Sequence, residues 1–142
     1  MTQEEKGRQI VIDETETLFN RKDLDAINSF FTEDFVDHTG TGDKDRSQYS
    51  DDCVAIAAAF PDLHVSCDEV IAQGDKVVKR FTATGTQKGP FYGLPASGKP
   101  FTMGGMYMYR IRDGRICEQW RVADMLGLMQ QVGAIPQPAE AT

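Results

Sequence analysis

The stretch that decides the fold is residues 101–124, which read FTMGGMYMYRIRDGRICEQWRVAD. Strand-forming residues flank Asp113-Gly114 on both sides. This dipeptide is typical of the two-residue type I′ turn that joins antiparallel strands. The turn predicts that Ile111 lies opposite Ile116, and counting outward from that pair gives the register of a long β-hairpin.

The predicted register divides the hairpin into two faces, because directly opposed residues share a face. The first face is mostly apolar and is the better candidate for the buried side. It carries Met103, Tyr107, Tyr109, Ile111, Ile116, Trp120 and Val122, together with the carboxyls of Glu118 and Asp124. The second face carries Met106, Met108, Arg110, Cys117, Gln119 and Arg121. A one-residue bulge between Asp113 and Asp124 would exchange the faces.

Asp124 is the first candidate for chemistry. It follows Trp120 by four residues on the predicted apolar wall. A carboxyl in apolar surroundings has a raised pKa and can transfer protons. A second interpretation is structural, since Asp124 precedes a predicted short helix that starts at Met125 and could cap it by accepting a backbone N–H. The residues alone leave both interpretations open.

Length and charge limit the classes of function. The chain has 142 residues and a formal net charge of −7. The length predicts a single domain over residues 1–136, with a tail at 137–142. The negative charge argues against nucleic acid or an anionic membrane as a partner. No stretch is apolar enough to span a membrane, and the polar start is unlike a signal peptide.

The cysteines and histidines give no metal or disulfide pattern. The three cysteines are odd in number and lie in apolar-patterned elements, which predicts buried thiols in a reducing compartment, the cytoplasm. The chain has two histidines and neither a CxxC nor an HExxH motif, so we expect no metal site.

Helical patterns occupy the first half of the chain and strands the second. Residues 4–20 predict a helix, Asp23 caps a second short one, and Ser47 caps a third that Pro61 ends. A four-stranded antiparallel meander and a short C-terminal helix follow. The order predicts an α+β fold, in which a curved antiparallel sheet is wrapped with the N-terminal helices into a cone.

The interior of such a cone is an apolar pocket with few polar groups. In this arrangement Asp124 and Trp120 lie deep in the pocket. Arg80 is the inward candidate on the neighbouring strand, and His38 reaches in from the helical end. The loop at 89–100 is rich in glycine and proline yet carries aromatic residues, so we expect it to pack over the pocket mouth or a partner chain.

Several segments together resemble the SnoaL-like polyketide cyclases, a family with the nuclear-transport-factor-2-like cone fold. They are FPDLHV at 60–65, GDKVVKRFTATGT at 74–86, KGPFYGLPASGKP at 88–100, YRIRDGRICEQW at 109–120 and D-x-x-GLMQQVGAIP at 124–136. The resemblance runs from residue 8 to residue 136. It implies a homodimer or homotetramer assembled through the sheet and a reaction with no metal and no organic cofactor.

The resemblance also implies a reaction. The best-known members bind a small aromatic polyketide and close its last ring by an intramolecular aldol addition of a methyl-ester-bearing carbon onto a ketone. One aspartate takes the proton from that carbon and later returns one to the ketone oxygen. The D-x-x-G-L context places this aspartate at Asp124.

The resemblance also implies roles for two other residues, and each of them has an alternative, structural interpretation. His38 would polarise a carbonyl or orient Asp124, or else cap its segment near solvent. Arg80 would bind an acidic substrate oxygen, or form a salt bridge with Glu118 or Asp68.

Four further positions complete the predicted site. Trp120 would be a substrate platform, core, or both, and Tyr107 and Phe91 would line the wall. Gln87 stands where many relatives have histidine; it can form hydrogen bonds but cannot transfer a proton, which puts activity on the usual anthraquinone-type substrates in doubt.

Two other functions compete with ring closure. The first is another small-molecule enzyme of the same fold: a ketone isomerase, a hydroxylase-like protein or an epoxide hydrolase. Epoxide hydrolysis would need an Asp-Arg-Asp arrangement, of which Asp124 with Arg80 supplies only part. The second is a non-catalytic module that binds an apolar ligand or a partner protein, with Asp124 as a helix cap.

Overall fold

A six-stranded curved sheet forms the body of the protein, which a computed structural model describes over residues 1–136. The strands are β1 (Phe31–Thr39), β2 (Gly42–Lys44), β3 (His64–Gln73), β4 (Lys76–Thr86), β5 (Pro100–Arg112) and β6 (Arg115–Ala123). Their order in the sheet is β2-β1-β6-β5-β4-β3. The helices are α1 (Gln3–Glu14), α2 (Ile27–Phe30), α3 (Arg46–Ala59) and α4 (Met125–Gln131). The α+β fold is confirmed, and the predicted tail at 137–142 lies outside the described residues.

The predicted hairpin turn is confirmed. Asp113 and Gly114 have φ angles of 51° and 78°, as a type I′ turn requires at both central positions. Ile111 lies opposite Ile116, also as predicted.

A β-bulge follows in β6. Arg110 lies opposite Glu118, so Cys117 is an extra residue in its strand. Beyond the bulge, Tyr109 pairs with Gln119 and not with Glu118. The side chains of β6 after Cys117 therefore occupy the opposite faces to those predicted. This one extra residue determines which side chains of β6 point into the interior of the cone.

Beyond the bulge, alternate residues of β6 point to opposite sides of the sheet. Gln119, Arg121 and Ala123 share the concave face with Tyr107 and Tyr109. Trp120 and Val122 share the convex face with Met106 and Met108. The prediction that Trp120 lies on the interior face is therefore wrong.

The sheet is larger than the predicted four-stranded meander. Strands β3 to β6 form that meander, but β1 also pairs with β6 in parallel, and β2 pairs with β1. The segment 35–38, predicted as a short strand or an extended exit, is the second half of β1. The sheet is therefore mixed rather than wholly antiparallel.

The N-terminal helical segment changes type before it ends. Residues Thr15–Asn20 continue α1 as a π-helix, whereas the sequence predicted one helix over 4–20. Val11, Leu18 and Phe19 are buried as predicted. The Thr15 hydroxyl donates to the Val11 carbonyl at 3.0 Å, inside the buried core.

The cap of α3 differs from the prediction. Asp45, not Ser47, accepts from the Gln48 amide at 2.9 Å, and the Gln48 side chain accepts from the Asp45 amide in return. This reciprocal pair is a capping box. The helix ends at Ala59, before Pro61, as predicted.

The convex face of the sheet carries exposed apolar side chains. The convex face exposes Ile71, Met106 and Val122, and assembly through this face stays a prediction. Within residues 1–136, none of the helices has the length and apolar character that crossing a membrane requires.

Candidate active site

A cavity of about 440 Å³ lies inside the cone. Its walls are mostly apolar and include seven aromatic side chains: Phe19, Phe60, Phe81, Phe91, Tyr92, Phe101 and Tyr107. Phe60 contacts the rings of Phe91 and Phe101 at centroid distances of 4.9 Å each. The loop that carries Phe91 is thereby packed against the cavity, as its aromatic content predicts.

Lys79 is the buried cationic group of the cavity wall. Its side chain projects from β4 and is 1% exposed. Its Nζ donates to the Thr15 hydroxyl at 2.9 Å. Four ring centroids lie 4.9–5.9 Å from Nζ; they belong to Phe19, Phe81, Tyr107 and Tyr109. Burial lowers the pKa of Lys79, because the charged form loses its hydration.

Glu14 lies on the other side of the Thr15 hydroxyl. The Glu14 carboxyl is fully buried, and its Oε2 is 3.4 Å from the Thr15 hydroxyl. Its Oε1 has no hydrogen-bond partner within residues 1–136. Burial raises the pKa of Glu14, with the nearby Lys79 acting in the opposite direction.

Arg121 is the second cation of the cavity wall, and its partners hold it in place. Its Nε and Nη2 donate to the two oxygens of Asp37, at 2.9 and 2.6 Å. Its Nη2 also donates to Asp52 at 3.1 Å, and its guanidinium lies 5.1 Å from the ring centroid of Tyr49. Asp37 is fully buried and also accepts from Gln119 at 3.1 Å. The cation and its carboxylate therefore form a fixed buried pair.

Tyr107 lies on β5 directly opposite Arg121 and lines the same cavity. Burial raises the pKa of Tyr107 to about 12, against the opposing effect of the Arg121 cation. At neutral pH the phenol therefore keeps its proton and can donate a hydrogen bond to an oxygen in the cavity.

Asp124 does not lie deep in the cavity, so that prediction is wrong. Its side chain is exposed, and its Oδ1 accepts from the Gly127 amide at 2.9 Å, which makes it the N-cap of α4. Its chain neighbours Ala123 and Met125 line the cavity, whereas Asp124 does not. The bulge at Cys117 is the cause, because it exchanged the faces of β6. A catalytic role for Asp124 stays a prediction.

His38 also lies outside the cavity, contrary to the prediction that it reaches in. It pairs with Trp120 across the β1–β6 ladder, and the two rings stack on the convex side at 5.0 Å. Its Nδ1 bonds Asp43 at 2.8 Å and its Nε2 bonds Glu118 at 2.7 Å. Trp120 is consequently a convex-face residue and not a platform inside the cavity.

His38 should titrate at higher pH than an ordinary histidine. The hydrogen bond to Glu118 is the main cause that raises the pKa of His38 above 6.5, and Asp43 adds to it. Because the pKa of His38 is higher in the folded state than in the unfolded state, the bonds of His38 to the two carboxylates stabilise the fold fully below pH 6.5. This stabilisation is lost as the pH rises through the pKa of the folded state. Titration of the imidazole by NMR should give a midpoint above 6.5, and Glu118→Gln should lower it more than Asp43→Asn. Equal midpoints in all three proteins would contradict this account.

Arg80 is exposed on the convex face, so the prediction that it points inward is wrong. Its guanidinium is 3.5 Å from Asp68 and 3.1 Å from Glu69, which agrees with the predicted alternative of a salt bridge to Asp68. The inward cation of β4 is the preceding residue, Lys79.

Phe91 and Tyr107 line the cavity, and Gln87 does not. Gln87 is buried, and its side-chain amide donates to the Pro95 carbonyl at 3.2 Å. Its backbone bonds Gly98 and Lys99 at 2.9 and 3.0 Å. Gln87 therefore closes the base of the loop 88–99 and holds no position from which it could bind a ligand in the cavity.

Five residues of the site were missed by sequence reasoning: Glu14, Thr15, Asp37, Lys79 and Arg121. The sequence contains a signal for Lys79, because Lys79 lies on the same face of its strand as the apolar Val77, Phe81 and Ala83. Glu14 follows Val11 by three residues and precedes Leu18 by four, which places all three on one helical stripe. No group of three His, Cys, Asp or Glu side chains within residues 1–136 could hold a metal ion.

The family model of the SnoaL-like polyketide cyclases matches residues 9–132. No curated protein matches the chain. Among solved structures, IdmH of Streptomyces antibioticus, a proposed polyketide cyclase, is 31% identical, with a TM-score of 0.80 over 89% of this chain and 98% of that chain.

Two other solved structures share the architecture. AclR of Streptomyces galilaeus, a proposed hydroxylase, is 26% identical, with a TM-score of 0.84 over 94% of this chain and 85% of that chain. A proposed SnoaL-like polyketide cyclase of Jannaschia sp. CCS1 has a TM-score of 0.87 at 24% identity, over 96% of this chain and 97% of that chain, and so shows the fold alone.

Proposed function

Since the chain belongs to the SnoaL-like polyketide cyclase family, we propose that it is a cyclase that closes a ring within an apolar, polyketide-like substrate. The reaction is an intramolecular aldol addition. A carbon next to one carbonyl group loses a proton and attacks a second carbonyl carbon of the same molecule, whose oxygen then takes up a proton and becomes a hydroxyl. The observation that carries the proposal is the cavity of about 440 Å³, whose walls are mostly apolar, with seven aromatic side chains and few buried polar groups.

The Tyr107–Arg121 pair is the group best suited to the charge that develops in this reaction. Attack on a carbonyl carbon moves negative charge onto its oxygen. The neutral Tyr107 phenol can donate a hydrogen bond to that oxygen, and the Arg121 cation lies on the same wall. Donors that are already oriented lower the barrier because the protein need not reorganise during the reaction.

The apolar walls have a second effect, because they hold a flat ring system in one orientation. Both reacting carbons belong to one bound molecule, so orientation alone removes much of the entropic barrier.

Turnover of a methyl-ester anthraquinone precursor whose attacking carbon also lies next to a ketone tests the proposal. We expect the purified protein to convert it into a product of the same mass with one ring more. Absence of ring closure with this compound and with a set of ketone-bearing aromatic polyketides would contradict the proposed function.

Replacing Asp124 separates its capping role from a catalytic one. Asn preserves an N-cap, so Asp124→Asn should leave both turnover and stability close to those of the wild type. Asp124→Ala should lower the free energy of unfolding by about 1 kcal/mol, the ordinary worth of an N-cap. Turnover and urea unfolding of both variants make the measurement. A roughly 10²-fold fall in turnover of Asp124→Asn would instead make Asp124 the proton acceptor that the family resemblance implies.

Epoxide hydrolysis is a second candidate, favoured by one observation. Arg121 lies between two aspartates, Asp37 and Asp52, and so forms the Asp-Arg-Asp arrangement that this chemistry needs. Neither aspartate lines the cavity, however, so neither faces a water molecule there. Ring closure is therefore proposed first. Formation of a diol from an apolar aryl epoxide, with loss of that activity in Asp52→Asn, would favour the second candidate.

A further inference from the structure

Lys79 differs from the two other cations of the cavity wall, Lys44 and Arg121. Lys44 donates to Asp52 at 2.6 Å. Arg121 is bonded to two carboxylates, whereas no carboxylate of residues 1–136 lies within ion-pairing distance of the Lys79 amine. The single hydrogen bond of the amine goes to an uncharged hydroxyl, that of Thr15. A lysine that is 1% exposed and has no ion pair loses most of the stabilisation of its charge.

The surroundings of Lys79 favour an uncharged amine further. Aromatic rings enclose it, and their cation–π attraction returns only part of the hydration energy that burial removes. Glu14 is the nearest candidate to hold the displaced proton, because its carboxyl is also buried and one of its oxygens has no partner in the described chain. The Thr15 hydroxyl lies between Lys79 and Glu14 and can relay a proton when it turns from the Val11 carbonyl to Glu14 Oε2, 3.4 Å away. Proton transfer from Lys79 to Glu14 leaves both groups neutral.

An uncharged amine on the wall of an apolar cavity is a nucleophile. We propose that Lys79 is the nucleophilic amine of this cavity and that it forms an imine with a ketone or aldehyde group of the bound substrate. This inference rests on the proposed function and deepens it. It requires a ketone or aldehyde next to the attacking carbon, because an ester alone does not form an imine. An ester would transfer its acyl group to the amine and leave a stable amide.

The first step balances without a co-reactant. The Lys79 nitrogen adds to the carbonyl carbon, the Glu14 carboxyl supplies one proton, and the carbonyl oxygen leaves as water. The products are a protonated imine on Lys79 and a Glu14 carboxylate, so the buried pair then carries one charge of each sign.

The second step closes the ring. The protonated imine loses a proton from the adjacent carbon and becomes an enamine, with Glu14 as the acceptor through the Thr15 hydroxyl. The enamine carbon attacks the second carbonyl carbon, whose oxygen takes up that proton beside Tyr107. Water then hydrolyses the imine and restores the amine. The overall change is an isomerisation with no oxidant or reductant.

Reductive trapping tests the inference without any turnover. The folded protein is incubated at pH 7 with 2-naphthaldehyde and cyanoborohydride, and labelled peptides are identified by mass spectrometry. Cyanoborohydride fixes an imine as a stable secondary amine. Each unit by which the pKa of a lysine is lowered raises its neutral fraction about tenfold. We expect label on Lys79 faster than on Lys76, an exposed lysine three positions away, and none at this position in Lys79→Met.

Two variants keep the result interpretable. Lys79→Met keeps an uncharged, unbranched side chain but cannot form an imine, so it should fold, stay unlabelled at residue 79 and lose ring closure. Lys76→Met is the matched control and should keep both labelling of Lys79 and activity. Wild-type protein that is labelled at Lys76 but not at Lys79 would overturn the inference. So would ring closure at the wild-type rate by folded Lys79→Met.

A failure of the proposed function can be distinguished from a failure of this inference. If Lys79 is trapped but no polyketide is cyclised, the reactive amine stands and the assigned reaction is wrong. If the wild type cyclises a polyketide but Lys79 is never trapped, the cyclase stands and its nucleophilic amine is wrong.

Discussion

Arg121→Met is expected to lower the free energy of unfolding by about 3–5 kcal/mol, the usual cost of breaking a buried ion pair by removing one partner. Asp37 is fully buried and receives two hydrogen bonds from Arg121. Without the guanidinium, only Gln119 still donates to that carboxylate in the described chain. Urea unfolding followed by circular dichroism measures the change.

Two controls show whether the loss comes from the stranded carboxylate. Arg80→Met removes an exposed cation from the convex face of the sheet and should change the free energy of unfolding little. Adding Asp37→Asn to Arg121→Met should recover part of the loss, because the buried charge is then gone. A similar small effect of Arg121→Met and Arg80→Met would show that the Arg121–Asp37 pair does not hold the fold together.

Tyr107→Phe is expected to lower kcat for ring closure by about 10²–10³-fold, the usual effect of removing one preoriented donor to a developing oxyanion. The change removes only the hydroxyl from a ring that lines the cavity, so the fold should be retained. Single-turnover rates with the best ketone-bearing substrate measure the effect on the chemical step.

Tyr109→Phe is the matched control. Tyr109 lies two residues along the same strand, is fully buried and does not line the cavity. Its hydroxyl has no partner within residues 1–136, so removing it deletes no hydrogen bond there. We expect an unchanged rate of ring closure. Equal losses in the two variants would mean that Tyr107 acts through packing and not through its hydroxyl.

The sequence predicts the hairpin turn but not the bulge that follows it. Asp113-Gly114 needs positive φ angles, and the local residue types report that requirement. The extra residue at Cys117 has no comparable local signature, because Cys117, Gln119 and Arg121 alternate as regularly as their neighbours. A shift of one residue exchanges the two faces of a strand. The predicted inward side chains of β6 were therefore the outward ones.

On β4 the alternation of apolar and polar residues indicates which cation points inward. Lys79 falls in phase with Val77 and Phe81, whereas Arg80 falls in phase with Thr82. The prediction that Arg80 points inward came from the cone arrangement and did not use this periodicity. The pairing of β1 with β6 is a different case, since the partners are about 80 residues apart and no local pattern encodes a parallel contact at that separation.

The most direct test of the account compares ring-closure rates of Tyr107→Phe and Asp124→Asn with that of the wild type, on the same substrate and at the same pH. We place the chemistry on groups that line the cavity. We therefore expect a fall of about 10²-fold or more for Tyr107→Phe and nearly full activity for Asp124→Asn. The opposite pattern, with Asp124→Asn inactive and Tyr107→Phe as fast as the wild type, would contradict it.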